Sequence, residues 1–475
     1  MLVVSGSWVP SLWGDEAASI MSARREWESL VALLGTVDAV HGVYYALLHV
    51  WVDLVGASPF AVRLPSALAV GAAAAGLYLL VRRRADRWVA LVAACVFAVM
   101  PRVTYVATEA RSMALATAIA VWTTLLLLRL LDGPARRAWW VVYAIGLAAG
   151  TYVFLYAGLL ILVHVVVVVH RMARAGASSG GAAGRLHPFA FTWAGAALLA
   201  APVAVLAIRQ REQIAFRGQQ DIVSLASVLV SPWFILPAVA AVAWTLMVVG
   251  VVTGVAHRHD ATWSGRRELL VLAGAWVVLP AAVLLILTAL VTPAFTPRYL
   301  VVSAPGVAIL IAVGCSALPR LVPRVAAVAA LVALAVPAYV DQRTPYAKNG
   351  RTDWQAVSAA VAELAEPGDG IVFDGQVRPS RRPRLAMHVY PEGFRGLVDL
   401  TLIRPHHETD GLWDVTAPLA DVDHRLDGID RVIVVSRSAR GVDADVAVLH
   451  DAGFEPIERR ALPSDTVTVF GRDGR

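Results

Sequence analysis

Long apolar runs, separated by short polar segments, dominate the chain. Each run is rich in Ala, Val and Leu, and most are close to the roughly 20 residues that a helix needs to cross a bilayer. The predicted helical spans cover residues 59–81, 88–107, 112–131, 138–151, 153–170, 189–208, 232–255, 269–291, 298–317 and 324–340. The pattern therefore predicts a polytopic α-helical membrane protein.

The first apolar segment is shorter than the others. Its ten residues, MLVVSGSWVP, lack the basic region of a signal peptide and are too few to span a bilayer. We expect either a broken first span or a start that is internal to it. With this truncated span, the prediction is about eleven spans.

Composition agrees with this class of protein. Of the 475 residues, 58% are hydrophobic and only 16% are charged, against about a quarter in soluble domains. The net charge of +6 comes from arginine clusters between apolar runs, so we expect no nucleic-acid partner. Cys95 and Cys315 lie inside apolar runs, which favours neither a disulfide nor a metal site. Lys348 is the only lysine, a bias typical of GC-rich bacterial genomes such as those of actinobacteria.

The arginine clusters predict the orientation, because cytoplasmic loops are enriched in Lys and Arg. Five clusters are assigned to the cytoplasm, at 82–87, 129–137, 170–185, 257–267 and 320–324. The segments left outside are 11–58, the turn around Glu109, 209–231, 292–297 and everything after 341. The stretch 209–231 carries three arginines on the outer side, for which anionic lipid phosphate is one reason.

The last 135 residues or so have a different pattern. An amphipathic stretch, a Pro-Gly-Asp turn and short apolar segments such as RVIVVS alternate after residue 341. We predict two domains, a transmembrane domain over 1–340 and an extracytoplasmic α/β domain over 341–475.

Paired acids stand near the start of this apolar chain, in SLWGDEAASI. Asp15 and Glu16 suit the first turn of a helix, where acids stabilise the N-terminal end. Ionisable residues at a membrane boundary also tend to mark function, so Asp15 is a candidate general base. Both interpretations can hold together.

Three further segments predicted outside carry polar chemistry. His41 precedes an apolar stretch that is predicted to lie in the membrane interface. It is a candidate binding residue, and the alternative interpretation is an ordinary surface histidine. Glu109 and Arg111 stand at the outer end of a span, and Arg298 and Tyr299 stand where another span begins. A snorkelling arginine is the alternative for both arginines, whereas a planar guanidinium also matches phosphate oxygens.

The order of these motifs is familiar. Over about residues 11–340, the chain resembles the protein-O-mannosyltransferase-like branch of the GT-C glycosyltransferases. The motifs that carry the resemblance are, in order, WGDEA, HGVYYALLHVWVDLVGASPFAVRLPSAL, TEARSMAL and PRYL. The resemblance implies a polyprenyl-phosphate-linked sugar as donor, and a glycolipid, polysaccharide or protein of the cell envelope as acceptor.

The resemblance also implies roles for individual residues. Asp15 matches the catalytic base and Glu16 its acidic neighbour. Glu109 and Arg111 match the acidic and basic pair of the second outer loop, and Arg298 matches an arginine near the donor phosphate. The candidate residues for binding the donor phosphate or substrate are these three with Tyr299 and His41. Many relatives have two prolines where this chain has Gly42 and Val43 after His41, which is a departure from the family pattern.

Several alternatives remain open from the sequence. A lipid-linked sugar transporter or flippase would have polar or broken spans near the midplane, whereas here the acids collect at one face. An inactive relative acting as a scaffold is a further alternative. Mannose is the expected sugar, with arabinose second. No metal site is predicted, although two acids and a histidine could hold a divalent ion.

Overall fold

The apolar runs form helices in the computed structural model, which describes residues 3–174, 182–212, 223–348, 351–437 and 442–472. The α-helices are α1 (Gly14–Ala23), α2 (Trp27–Thr36), α3 (Gly42–Val55), α4 (Pro59–Arg82), α5 (Arg87–Val99), α6 (Pro101–Val106), α7 (Met113–Leu131), α8 (Arg137–Val153), α9 (Leu160–Arg174), α10 (Ala182–Arg209), α11 (Leu225–Leu229), α12 (Pro237–Ala256), α13 (Ser264–Leu290), α14 (Ala304–Ala317), α15 (Leu321–Asp341), α16 (Trp354–Leu364), α17 (Leu385–Val389) and α18 (Asp443–Asp451). The strands are β1 (Gly370–Phe373), β2 (Val398–Asp399), β3 (Leu402–Arg404), β4 (Val415–Thr416), β5 (Arg431–Ser436), β6 (Phe454–Ala461) and β7 (Thr466–Arg472).

The chain divides into two units. The first, which we call the membrane unit, comprises Met1–Ser5, Ala39–Tyr44 and Arg63–Asp341. The second, which we call the α/β unit, comprises Gly6–Asp38, Tyr45–Val62 and Gln342–Arg475. The domain boundary that the sequence suggests near residue 341 stays a prediction.

Eight helical stretches within the described ranges are long and apolar enough to cross a membrane. They contain α4, α7, α9, α10, α12, α13, α14 and α15. The predicted span at 138–151 corresponds to α8, which has 17 residues. The polytopic helical class predicted from the sequence is confirmed.

The predicted span at 88–107 is divided in two. Helix α5 ends at Val99, Met100 adopts an extended ψ of 129°, and α6 starts at Pro101. Proline disfavours helical backbone at the preceding residue and suits the first position of a new helix. The break therefore follows from Pro101.

Helix α14 lies at the centre of the membrane unit, where 94% of its most apolar window is buried. A Cβ on Gly314 would lie 1.9 Å from the carbonyl oxygen of Leu246, so glycine lets the backbones of α14 and α12 touch. Arg298 and Tyr299 lie in the 3₁₀ segment Pro297–Ser303, which leads directly into the start of α14.

The α/β unit contains a five-stranded sheet in the order β2-β1-β5-β7-β6. Strand β1 pairs in parallel with β2 and β5, whereas β7 is antiparallel to both β5 and β6. Val372, Val434 and Phe470 from three of these strands share one buried core with Leu449 of α18. The predicted alternation of helices and strands in the tail is confirmed.

Candidate active site

The turn between α6 and α7 carries two of the predicted site residues, Glu109 and Arg111. The hydroxyl of Ser66 on α4 donates to the carbonyl oxygen of Glu109 at 2.5 Å and lies 3.3 Å from the carbonyl oxygen of Arg111. Glu109 is fully buried. Helix α4 therefore fixes the backbone from which both side chains project.

Arg111 contacts a third predicted residue, His41. Its Nη2 lies 3.1 Å from Nε2 of His41, in the short 3₁₀ helix Ala39–His41. Because a guanidinium can only donate, Nε2 is the acceptor and the ring proton lies on Nδ1. The amide of Ala39 donates to Oε1 of Gln210 at 3.0 Å, which anchors this segment beside α10.

Arg298 belongs to the same end of the membrane unit. Its neighbour Leu300 accepts a hydrogen bond from the indole of Trp233 at 3.0 Å, and the carbonyl of Trp233 accepts one from the amide of Arg102 at 3.1 Å. Arg102 in turn interacts electrostatically with both Glu109 and Arg298. The structure thus brings these three charged residues together.

The loop between α11 and α12, which contains Ser231 and Trp233, has a strained backbone. Ile235 has a φ of 61°, a region that β-branched residues rarely adopt. Such backbone persists only where the surrounding structure holds it, and it is frequent at functional sites. Here the guanidinium of Arg102 donates to the carbonyl of Ser231 at 2.6 Å and secures the loop.

Aromatic rings surround the start of the 297–303 segment. The ring centroid of Tyr299 lies 5.5 Å from that of Phe154 and 5.2 Å from that of Tyr156. The guanidinium carbon of Arg298 lies 5.8 Å from the centroid of Tyr299. A cavity of about 10 Å³ between Tyr156, Tyr299 and Trp276 has room for about one water molecule. Positive charge therefore adjoins an apolar, aromatic wall.

Asp15 and Glu16 lie in the α/β unit, in the first turn of α1. The helix begins at Gly14, and a Cβ there would lie 2.0 Å from the carbonyl oxygen of Ser380. Glu16 is fully buried, and Asp15 is half-buried. The N-terminal end of a helix stabilises carboxylates. The predicted cavity shared by Asp15, Glu109 and Arg298 stays a prediction.

The outward arginines of the stretch 209–231 are described only in part. Arg209 ends α10 and Arg211 follows it, whereas Arg217 lies outside the described residues.

Comparisons with known proteins give a family match over part of the chain and several structures of similar fold. Residues 42–193 match the family described as dolichyl-phosphate-mannose-protein mannosyltransferase. The crystal structure of ArnT from Cupriavidus metallidurans bound to undecaprenyl phosphate is similar over 98% of this chain and 96% of its own, with 13% identity and a TM-score of 0.58. The structure of the same ArnT in the apo state is similar over 98% of this chain and 95% of its own, with 14% identity and a TM-score of 0.53.

A mycobacterial structure is also similar. The arabinofuranosyltransferase AftD from Mycobacteria matches all of this chain and 39% of its own, with 18% identity and a TM-score of 0.50. A search of curated protein sequences gave no significant match. The chain has the GT-C fold. The fold and the family match over residues 42–193 together confirm the resemblance that the motifs indicated.

The sequence does not single out one residue of this cluster, Arg102. Arg102 lies inside the apolar run 88–107, which was assigned as a span without regard to its one internal arginine. An ionisable residue within a membrane segment is a functional candidate by default, and that signal was available. Its partners, Ser231 and Trp233, are some 130 residues away in the chain, so their contact was not predictable.

Proposed function

We propose that the protein transfers a sugar from a polyprenyl-phosphate carrier to a hydroxyl group of a cell-envelope acceptor, at the outer face of the cytoplasmic membrane. The observation that carries the proposal is the cluster of His41, Glu109, Arg111 and Arg298 at one end of a GT-C membrane unit. The match to a mannosyltransferase family includes the turn with Glu109 and Arg111. In this proposal the α/β unit is extracytoplasmic.

The proposed reaction inverts the anomeric carbon. Asp15 takes the proton of the acceptor hydroxyl as its oxygen attacks the anomeric carbon from the face opposite the phosphate. The bond from that carbon to the phosphate oxygen breaks, and polyprenyl phosphate leaves with the electron pair. Because the leaving group is a stable anion, it needs no strong acid. Arg298, with Arg111 and Arg102, stabilises its growing charge, and Glu16 supports Asp15.

The test of this role is Asp15→Asn, assayed in membranes with a radiolabelled polyprenyl-phosphate sugar. We expect loss of most transfer, since an amide cannot accept the proton, while expression stays normal. The same change at the exposed Asp451 on α18 is the control and leaves transfer unchanged. Near-normal transfer by a normally expressed Asp15→Asn variant would show that Asp15 is not the base.

Mannose is the proposed sugar, because the matching family is a mannosyltransferase family. Arabinose is the second candidate, because the similar AftD structure is an arabinofuranosyltransferase. Membranes supplied with each labelled donor in turn distinguish the two. Label that crosses the membrane but stays on its lipid carrier would instead indicate a flippase.

A further inference from the structure

Two histidines and an aspartate converge in the α/β unit, away from the residues of the proposed reaction. Nε2 of His388 lies 2.6 Å from Oδ2 of Asp414, and Nδ1 of His406 lies 3.3 Å from Oδ1 of the same carboxylate. Each residue offers one ligand atom, and these atoms all lie within 4.8 Å of one another. The three side chains are nearly buried, with 18%, 10% and 2% exposure.

The spacing of these atoms is close to that of a metal site. Zinc binds nitrogen and carboxylate oxygen at about 2.0–2.2 Å in tetrahedral geometry, so its ligand atoms are about 3.3 Å apart. On binding zinc, the distance between Nε2 of His388 and Oδ2 of Asp414 would lengthen by less than 1 Å. The ligand atoms that are now farther apart, by up to 4.8 Å, would move closer together. Side-chain rotations supply movements of this size.

The charged groups around the cluster are already engaged with protein partners. Arg384 binds Asp399 with both terminal nitrogens, and its Nη1 stays 3.9 Å from Asp414. Arg25 donates to two carbonyl oxygens and interacts with the charges of Asp414 and Asp410. Asp414 therefore has shorter contacts with the two histidines than with Arg384.

We propose that His388, His406 and Asp414 bind a zinc ion, with a water molecule as the fourth ligand. Two imidazoles and one carboxylate form a donor set that zinc takes in proteins and that magnesium and calcium do not prefer. The ion joins α17, which carries His388, to the segment 406–414.

The zinc ion would also stabilise α1, the helix of Asp15. Nη1 of Arg24 donates to the carbonyl oxygen of His388 at 3.2 Å. Nη1 of Arg25 donates to the carbonyl oxygen of Thr409 at 2.8 Å. Both arginines directly follow α1, so the two pieces of chain that the metal joins are the two that hold the end of this helix.

The test measures metal directly on the full-length protein, purified in detergent without a histidine tag. We expect one zinc ion per chain by mass spectrometry after dialysis against zinc. The double variant His388→Gln/His406→Gln loses it, whereas the control His407→Gln, at the exposed neighbour of His406, retains it. Zinc retained by the double variant, or absent from the wild type, overturns the proposal.

A second measurement on the wild type does not depend on how the variants fold. Cobalt(II) replaces zinc in such sites, and a tetrahedral cobalt site absorbs intensely in the visible range. We expect these bands, together with a thermal midpoint raised by several degrees on adding zinc but not magnesium. A wild type with neither the bands nor the shift has only a hydrogen-bonded triad, and the proposal fails. Neither readout requires glycosyl transfer, so the two proposals fail separately.

Discussion

The two ends of the membrane unit both collect arginines but give them different partners. At one end, where α4, α7 and α9 finish, Arg83 and Arg171 each bind Asp132 at 2.7 Å. Arg84 binds the same carboxylate and also Glu268, at 3.0 Å, near the start of α13. These three arginines share two carboxylates, and the network ties the ends of four helices together.

The arginines at the opposite ends of α4 and α7 have other kinds of contact. Arg111 donates to an imidazole and Arg102 to a carbonyl oxygen, and these bonds orient the two guanidinium groups. Arg298 lies beside an aromatic ring. An oriented guanidinium matches the oxygens of a phosphate, whereas the carboxylate network at the other end ties helices together.

The largest effect should come from Arg102→Gln. This change removes a positive charge that interacts with Glu109 and Arg298, so we expect transfer to fall by about a hundredfold or more. The matched control is Arg83→Gln at the other end, which should leave the rate per folded molecule within a few-fold of wild type. The measurement is initial rate in detergent with purified protein. If both variants lose activity equally, the difference between the two ends has no functional meaning.

The sequence could locate both ends but not tell them apart. Apolar periodicity and the arginine clusters gave the spans and a predicted orientation, because membrane burial leaves a strong local signal. The partners of each arginine depend on which helices meet. Asp132 stands among basic residues in the sequence, and nothing there indicates that two arginines at the end of α4 and one on α9 bind it.

Contacts between distant parts of the chain also explain why the sequence did not indicate Arg102 or the cluster of two histidines and an aspartate. The sequence suggests Glu109, Arg111 and Arg298 as candidates because they stand where spans end, whereas it does not suggest Arg102, which lies inside an apolar run. His388, His406 and Asp414 are 8 to 26 residues apart and follow no metal-ligand spacing. Only the packing of α17 against the segment after β3 brings them together.

A smaller effect, on stability alone, should follow Asp132→Asn. Burial alone would raise the pKa of Asp132, but hydrogen bonds from Arg84, Arg171 and Arg83 lower it to about 2. An amide loses these charged bonds, so we expect the thermal midpoint to fall by a few degrees while transfer per folded molecule is unchanged. Scanning fluorimetry and the transfer assay measure the two quantities.

The pH dependence of the same variant supplies its control. A carboxyl group whose pKa is depressed on folding adds stability above its unfolded pKa of about 4, and this stability is lost as the pH falls toward 2. The wild-type midpoint should therefore fall between pH 4 and pH 2 by more than that of Asp132→Asn. Parallel curves would mean that the network contributes no stability through Asp132.

The smallest effect should come from Ser66→Ala, at the end with the candidate site. The Ser66 hydroxyl holds the carbonyl oxygen of Glu109, so its loss loosens the turn from which Glu109 and Arg111 project, without removing any charge. A hydrogen-bond donor that is slightly misplaced lowers the rate less than one that is absent. We therefore expect a few-fold lower transfer rate with little change in the thermal midpoint. Ser316→Ala on α14, which removes a buried hydroxyl bonded to the carbonyl of Val313 in its own helix, is the control and should leave the rate unchanged. Equal rates for the two variants would show that the position of this turn is set by the packing of α6 and α7 rather than by the bond from α4.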